Sequence, residues 1–318
     1  MKSPLNTLAA AAFALAAAFS AQAQETKVGI GISGWTGFAP LTLAKEAGLF
    51  RKNGLDVTIK KIPQKDRHLA IASGDIQCAA TTVETWVVWN ANGVATTQIF
   101  QLDKSFGADG LIAKPGINSV KELKGKTVAA DAPGTAGYFG LAWILKKNGM
   151  TMKDVTVVNM GPQPAANAIL ANTAGVDAGM TYEPYMGQVR AKPEAGKILA
   201  TTLDYPMVMD TFGCTPKFLA ENPKAAQALA DSYFQALDMI KADPKKSFGI
   251  MGADVKQTAE QFEASQKYLR WQDRAANQKF FAGEHAAFSK EAAELLLEVG
   301  IIKAIPDLSK LADTRFIK

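Results

Sequence analysis

The chain is poor in the side chains that do most metal and acid–base chemistry. Its 318 residues contain only two histidines, His68 and His285, and two cysteines, Cys78 and Cys214. None of the four lies at ligand spacing from another, which argues against a zinc site, and two cysteines are too few for a disulfide-stapled scaffold. A charge excess of one sign is missing too. Thirty-five basic against thirty acidic residues leave a net charge of +5. No Lys/Arg run exceeds two residues, so neither nucleic acid nor a membrane surface is an expected partner. With 26 glycines and 14 prolines the chain is not of low complexity, and 48% hydrophobic residues suffice for a globular protein of about two domains.

What is present begins with an export signal. Met1-Lys2, the Ala/Leu/Phe run from Leu8 to Phe19 and the A-x-A pattern Ala21-Gln22-Ala23 read as a secretory leader cleaved after Ala23. Its apolar core, about 12 residues, is too short to cross a bilayer, and no other stretch reaches 18 consecutive apolar residues. The expected product is a soluble protein of 295 residues outside the cytoplasm. Cys78 falls in the apolar strand Ile76–Ala80 and Cys214 follows Gly213, a setting that reads as two separate buried thiols rather than a disulfide.

The mature chain repeats itself. Strand Lys27–Ile32, the turn Ser33–Phe38, a helix from Pro40, Asn53-Gly54, strand Leu55–Ile62, helix Asp66–Ser73 and strand Ile76–Thr81 make a βαβαβ unit. About 95 to 100 residues later the order returns. Strand Thr127–Ala130, turn Asp131–Gly137, helix Tyr138–Lys147, Asn148-Gly149, strand Val155–Asn159, helix Ala165–Asn172 and strand Gly175–Thr181 match it unit for unit. Long helices follow, expected at Pro223–Ile240, Asp254–Trp271 and Ser289–Val299. The division read from this is a signal peptide at 1–23, lobe one from 24–110 and 206–318, and lobe two from 111–205. Two connections cross between lobes, near Asp103–Lys114 and Asp204–Gly213, as in a hinged ligand trap.

Gly34-Trp35-Thr36-Gly37, Pro40-Leu41, Leu43 through Phe50 and Gly54-Leu55-Asp56-Val57 resemble the opening signature of the nitrate/sulfonate/taurine class of periplasmic substrate-binding proteins, a superfamily that includes binders of pyrimidine precursors of thiamine. Arg67, Ala72-Ser73-Gly74-Asp75, Thr81-Thr82, Gly107-Ala108-Asp109-Gly110, Leu123-Lys124-Gly125-Lys126 and Tyr182-Glu183-Pro184 extend the resemblance over most of residues 27 to 205. It implies an α/β, type II periplasmic-binding-protein fold. It also implies a monomer that delivers a sulfonate-, taurine- or nitrate-type solute to an ABC permease with a cytoplasmic ATPase. A small amine, cation or pyrimidine precursor is the alternative solute, and presentation to a membrane sensor the alternative role.

In such a fold the turns after the strands line the cleft, and helix N-termini there favour anions. The expected contacts are Gly34, Trp35, Thr36, Thr81, Thr82, Asp109, Thr135, Ala136, Gly137, Tyr138, Tyr182 and Glu183. Charges complicate an anionic solute. Glu84, Asp103, Asp109, Asp131, Glu183 and Asp204 all fall near strand ends, against Arg67 and Arg190 on helices, and no arginine fork is evident. The acids fit a zwitterion or a cation with Trp35, Tyr138 and Tyr182 as π faces. Trp86 and Trp89, three residues apart, read as packing.

No cofactor is expected. Gly29-Ile30-Gly31-Ile32-Ser33-Gly34 matches G-x-G-x-x-G, but its glycines alternate with isoleucine as strand residues do, and no complete strand precedes them. Nor is an enzyme expected. There is no nucleophile elbow, H-E-x-x-H helix or P-loop, and the cysteine-rich motif and active-site histidine of the fungal pyrimidine synthases that share this fold have no counterparts here.

Overall fold

A computed structural model describes residues 25–318; the expected leader, 1–23, lies outside them. The elements run β1 (Thr26–Ile32), α1 (Ala39–Glu46), α2 (Leu49–Lys52), β2 (Leu55–Lys61), α3 (Gln64–Ala72), β3 (Cys78–Thr82), α4 (Val83–Ala91), β4 (Thr97–Ser105) and β5 (Asp109–Ala113). Then come β6 (Thr127–Ala130), α5 (Ala136–Lys147), β7 (Thr156–Asn159), α6 (Pro162–Leu170), β8 (Ala178–Tyr182), α7 (Tyr185–Arg190), β9 (Lys197–Thr201) and β10 (Met209–Cys214). The remainder is α8 (Pro216–Glu221), α9 (Pro223–Ala242), α10 (Pro244–Asp254), α11 (Ala259–Gln266), β11 (Leu269–Trp271), α12 (Arg274–Lys279) and α13 (His285–Glu298).

The strands form two sheets, ordered β11-β4-β10-β3-β1-β2 and β7-β6-β8-β5-β9. The repeat read from the sequence is visible in them. β1 pairs in parallel with β2 and β3, and β6 with β7 and β8. Each Asn-Gly pair turns the chain between helix and second strand, with Gly54 and Gly149 at φ of 80° and 70°, where a side chain would be strained. The chain passes between the sheets through 106–108 and 202–208. Each crossing then feeds an antiparallel strand beside the third strand of the lobe it enters, β5 beside β8 and β10 beside β3. Asp109 and Gly110 already pair in the second sheet, slightly earlier than the expected boundary at residue 111.

One face of the first sheet is sealed by α1 and α9 to α11, with Phe100 stacked between Phe212 and Tyr233 at 4.9 and 5.1 Å. Trp86 and Trp89 pack edge to face at 4.9 Å against Ile71, Ile76 and Ala79 on the other face, as expected of packing residues. α13 joins the two lobes. Its Phe288 meets Phe139 and Trp143 of α5, in one core with Val83, Val87 and Val88 of α4.

Two expectations are corrected. The helix expected over Asp254–Trp271 is not continuous: α10 ends at Asp254, the chain breaks over 255–257, α11 starts at Ala259 and β11 at Leu269. Lys256 takes φ 60°, Thr258 and Gln261 form a capping box that starts a new helix, and Leu269–Trp271 adds an edge strand to β4. The cysteines are also paired. Cys214 stands directly opposite Cys78 in the antiparallel β10–β3 register and the two form a disulfide. Reading β3 without its antiparallel neighbour hid the partner. The bridge closes a loop of 136 residues and both sulfurs are buried. Replacing both cysteines with alanine should cost about 3–5 kcal/mol in urea denaturation, and dithiothreitol should release thiols only once the chain unfolds; a loss below about 1 kcal/mol, or reduction of the native protein, would contradict this.

Candidate functional site

The two repeats aim their strand-to-helix turns at one another. In lobe one, Trp35 is buried at the start of the 3-10 turn Thr36–Phe38. Its indole Nε1 donates to Asp103 Oδ1 at 3.2 Å, and its ring meets Tyr182 of lobe two edge to face at 5.5 Å. Gly37 is required here, because a β-carbon would collide with that indole nitrogen and the Asp103 carboxylate. Thr81 and Thr82 end β3 and lead into α4. Opposite them Thr135 precedes α5, its hydroxyl donating to Ala132 O at 2.8 Å and so not capping the helix.

Between these ends lies a narrow cavity, wide enough for about one water molecule, lined by Gln64, Asp109, Asp131, Ala136, Gly137, Pro162, Met180, Thr181, Tyr182 and Val208. Of the expected contacts, Asp109, Ala136, Gly137 and Tyr182 line it. Trp35 backs Tyr182, and Thr81 and Thr82 back Gln64, whose Nε2 donates to their hydroxyls at 2.8 and 3.3 Å and to Thr85 Oγ1 at 2.9 Å. Thr36 is fully buried with an unpartnered hydroxyl, and Tyr138 packs on the second lobe's core. Gly34 and Glu183 line a second, wider groove of about 1980 Å³, open to solvent, between α7 and the α10–α11 region.

The site is strongly acidic. Glu84, Asp103, Asp109 and Asp210 are each at most 7% exposed. Burial pushes Glu84 up to about 8 and Asp109 up to about 7, the latter with help from the charge of Glu183. Asp103 and Asp210 face each other across β4 and β10, and burial raises both well above the usual carboxylate range, helped at Asp103 by the charge of Asp109 and at Asp210 by the charges of Asp103, Asp109 and Glu84. Glu84 Oε1 accepts from the Thr82 hydroxyl, but Glu84 Oε2 and Asp109 Oδ2 have no partner.

Against them stands Arg67 on α3, 1% exposed and lowered to about 10 by burial despite the charges of Tyr182, Asp210 and Asp131. Its Nε donates to Ile62 O and its Nη1 to Ala80 O, while Nη2 is unpartnered. Gly31 makes room for it, since a β-carbon there would lie 3.0 Å from Arg67 Cγ. Arg190 serves elsewhere. It pairs with Glu183, donates to Gly107 O at 2.7 Å and stacks 3.7 Å from the centre of the Tyr268 ring. Asp204 is exposed and accepts from Thr201 N at 2.9 Å, as a turn residue. Among the described residues no group of three or more acidic, histidine or cysteine side chains is arranged to hold a metal.

Gln64 and Asp210 are site residues that the sequence reading passed over. The signals were a Pro63-Gln64 step opening a helix, and an Asp210-Thr211 pair that matters only once β10 is laid antiparallel to Thr81-Thr82.

Two α/β lobes with a polar cleft between facing helix N-termini and two strand crossings define the periplasmic-binding-protein fold. The alkanesulfonate-binding protein SsuA from Xanthomonas axonopodis pv. citri, bound to MOPS, superposes with a TM-score of 0.78 at 17% identity over 92% of this chain and 99% of that one. The periplasmic nitrate-binding protein NrtA from Synechocystis PCC 6803 superposes at 0.73 and 19% identity, over 90% and 86%. The chain belongs to the NMT1/THI5-like family, whose model matches residues 35–247. Relatives by sequence include a provisionally named binding protein of Brucella abortus, 26% identical over 69% of this chain and 68% of that protein. Another is the 4-amino-5-hydroxymethyl-2-methylpyrimidine phosphate synthase THI13 of Saccharomyces cerevisiae, 27% identical over 66% and 65%.

Raised carboxyl values set a pH dependence. Glu84 and Asp109 hold protons in the folded chain at pH values where the unfolded chain has released them, so stability falls as pH rises from about 5 toward 8. Each group contributes up to about 1.4 kcal/mol per pH unit. The solute-free protein should therefore melt at lower temperature at pH 8 than at pH 6, and the Asp109→Asn variant should flatten that slope; a melting temperature that rises over this range would refute the assignment.

Proposed function

We propose that this chain is an extracytoplasmic solute-binding protein that closes its lobes, 24–110 with 206–318 against 111–205, on a small solute carrying a protonated nitrogen. It would then hand that solute to an ABC permease driven by a cytoplasmic ATPase. The observation that carries the reading is the set of unpartnered buried carboxylate oxygens, Asp109 Oδ2 on the cavity wall and Glu84 Oε2 behind it. Burying such an oxygen without a donor is costly, and an N–H⁺ group of the solute would offset the cost. Tyr182 adds an aromatic face for a cation. A nitrate-type anion would meet four buried acids and one arginine, which disfavours it.

Export rests on the leader at residues 1–23 and on the fold. A carrier rather than a catalyst is supported by where the cysteines and histidines stand. Cys78 and Cys214 are spent in a disulfide. His285 is buried against Gln98 Oε1 at 3.1 Å and lowered to about 4, and His68 lies beside Trp89.

The test is a thermal-shift and calorimetric screen of the mature chain at pH 8 with primary alkylamines, aminopyrimidines, taurine, ethanesulfonate and nitrate. Solutes with a protonated nitrogen should stabilise it by about 2–3 kcal/mol at a hundred times Kd, and Asp109→Asn should weaken them at least tenfold. Their affinity should also tighten from pH 6 to pH 8, because binding must displace protons from Asp109 and Glu84. Stabilisation by nitrate or ethanesulfonate alone would overturn the reading.

A further inference from the structure

The N-terminus of α5 is the natural oxyanion pole of the cleft. The helix is 12 residues long, its N-cap Thr135 turns its hydroxyl away, and its first turn contains no acid. Such an end leaves N–H groups unpaired and carries positive potential. The place is taken from within the protein. Gln64, the first residue of α3 in lobe one, reaches across to lobe two, and its Oε1 accepts from Ala136 N at 3.2 Å. The same amide is anchored on its own side by the hydroxyls of Thr81, Thr82 and Thr85, and Thr85 Oγ1 donates onward to Gly134 O at 3.4 Å.

A buried positive charge lies on the same helix. Arg67, on the next turn of the same helix and 1% exposed, keeps Nη2 unpartnered, and its charge acts on Asp131 and Tyr182, which line the cavity with Gln64 and Ala136.

We infer that Gln64 is the specificity-determining residue of the cleft: its side-chain amide occupies the oxyanion position at the start of α5 and thereby excludes solutes that need that position for a sulfonate, sulfate or nitrate group. The inference deepens the functional reading above and rests on the same cleft being the solute site. A neutral amide oxygen satisfies the Ala136 N–H without adding a negative charge beside the buried acids Glu84, Asp103, Asp109 and Asp210. A free oxyanion would have to displace Gln64 and break its three threonine contacts.

Isothermal titration with sulfate and with ethanesulfonate, at constant chloride, of the wild type, Gln64→Ala and Gln64→Leu tests this. Gln64→Ala should open the pole and bring anion affinity up at least tenfold over the wild type. Gln64→Leu, which keeps the bulk but cannot reproduce the hydrogen bonds, should not. Circular dichroism melts establish that both variants are folded. No gain in Gln64→Ala, an equal gain in both variants, or ethanesulfonate binding by the wild type that Gln64→Ala weakens would each overturn the role. An alkylamine titrated into the wild type in parallel separates the two claims, since its failure sinks the cationic-solute reading while the anion comparison still decides Gln64.

Discussion

The geometry of the cleft follows from how the chain crosses between its sheets. The parallel strands of both repeats run toward the cleft and end there. A strand that arrives from the other lobe must therefore enter its sheet at the cleft and run antiparallel to its neighbour. β5 and β10 do this, and each carries an aspartate near its point of entry. Asp109 pairs with Tyr182 at the end of β8, and Asp210 with Thr82 at the end of β3. The disulfide between Cys78 and Cys214 fixes that register in lobe one at the far end of the same strand pair. A shift of one residue would turn Asp210 to the opposite face of the sheet, so the cross-link protects the site although it lies outside it.

This placement creates an electrostatic debt that the protein does not settle alone. Carboxylates withdrawn from water favour their protonated forms, and one buried guanidinium cannot neutralise four of them. The folded chain can hold protons on the cluster, or accept a positive group in their place. On the proposed reading, proton release and solute capture would be coupled, because both would act on the same oxygens. The glycines help to make this possible. Gly31 leaves space for the Arg67 side chain against β1, and Gly37 leaves space for the Trp35 indole to reach Asp103. The G-x-G-x-x-G pattern that suggests a dinucleotide site is, in part, this packing requirement.

The repeat, the strand order within each βαβαβ unit and the Gly-rich turns were legible in the sequence because local patterns encode them: Asn-Gly pairs, apolar alternation and proline at helix starts. Four of the twelve expected contacts, Asp109, Ala136, Gly137 and Tyr182, line the cavity. What was not legible depends on long-range pairing. The disulfide required Cys214 to be set beside Cys78, 136 residues away. Asp210 is an ordinary loop-edge acid until β10 lies against β3, and Gln64 an ordinary first-turn residue until lobe two brings Ala136 to it. The break at Val255–Gln257 was hidden because residues 254–271 contain no glycine or proline to mark a stop, whereas the capping box at Thr258 starts a new helix.

The contacts that bridge the lobes also bear on how the cleft opens. α13 buries Phe288 against Phe139 and Trp143 of lobe two in one core with Val83, Val87 and Val88 of lobe one. Exposing such apolar surface costs roughly 1.5–3 kcal/mol per large side chain, so this seam acts as the pivot. The other bridges are individually weak: the edge contact of Trp35 with Tyr182, the Gln64 to Ala136 hydrogen bond, and the stacking of Arg190 on Tyr268. Each is worth about 0.5–1.5 kcal/mol, within reach of thermal opening and of the stabilisation a bound solute supplies. On the proposed reading, motion would concentrate away from that seam, and a solute that satisfies Asp109 in the cavity would have only to outweigh a few such contacts to decide between open and closed.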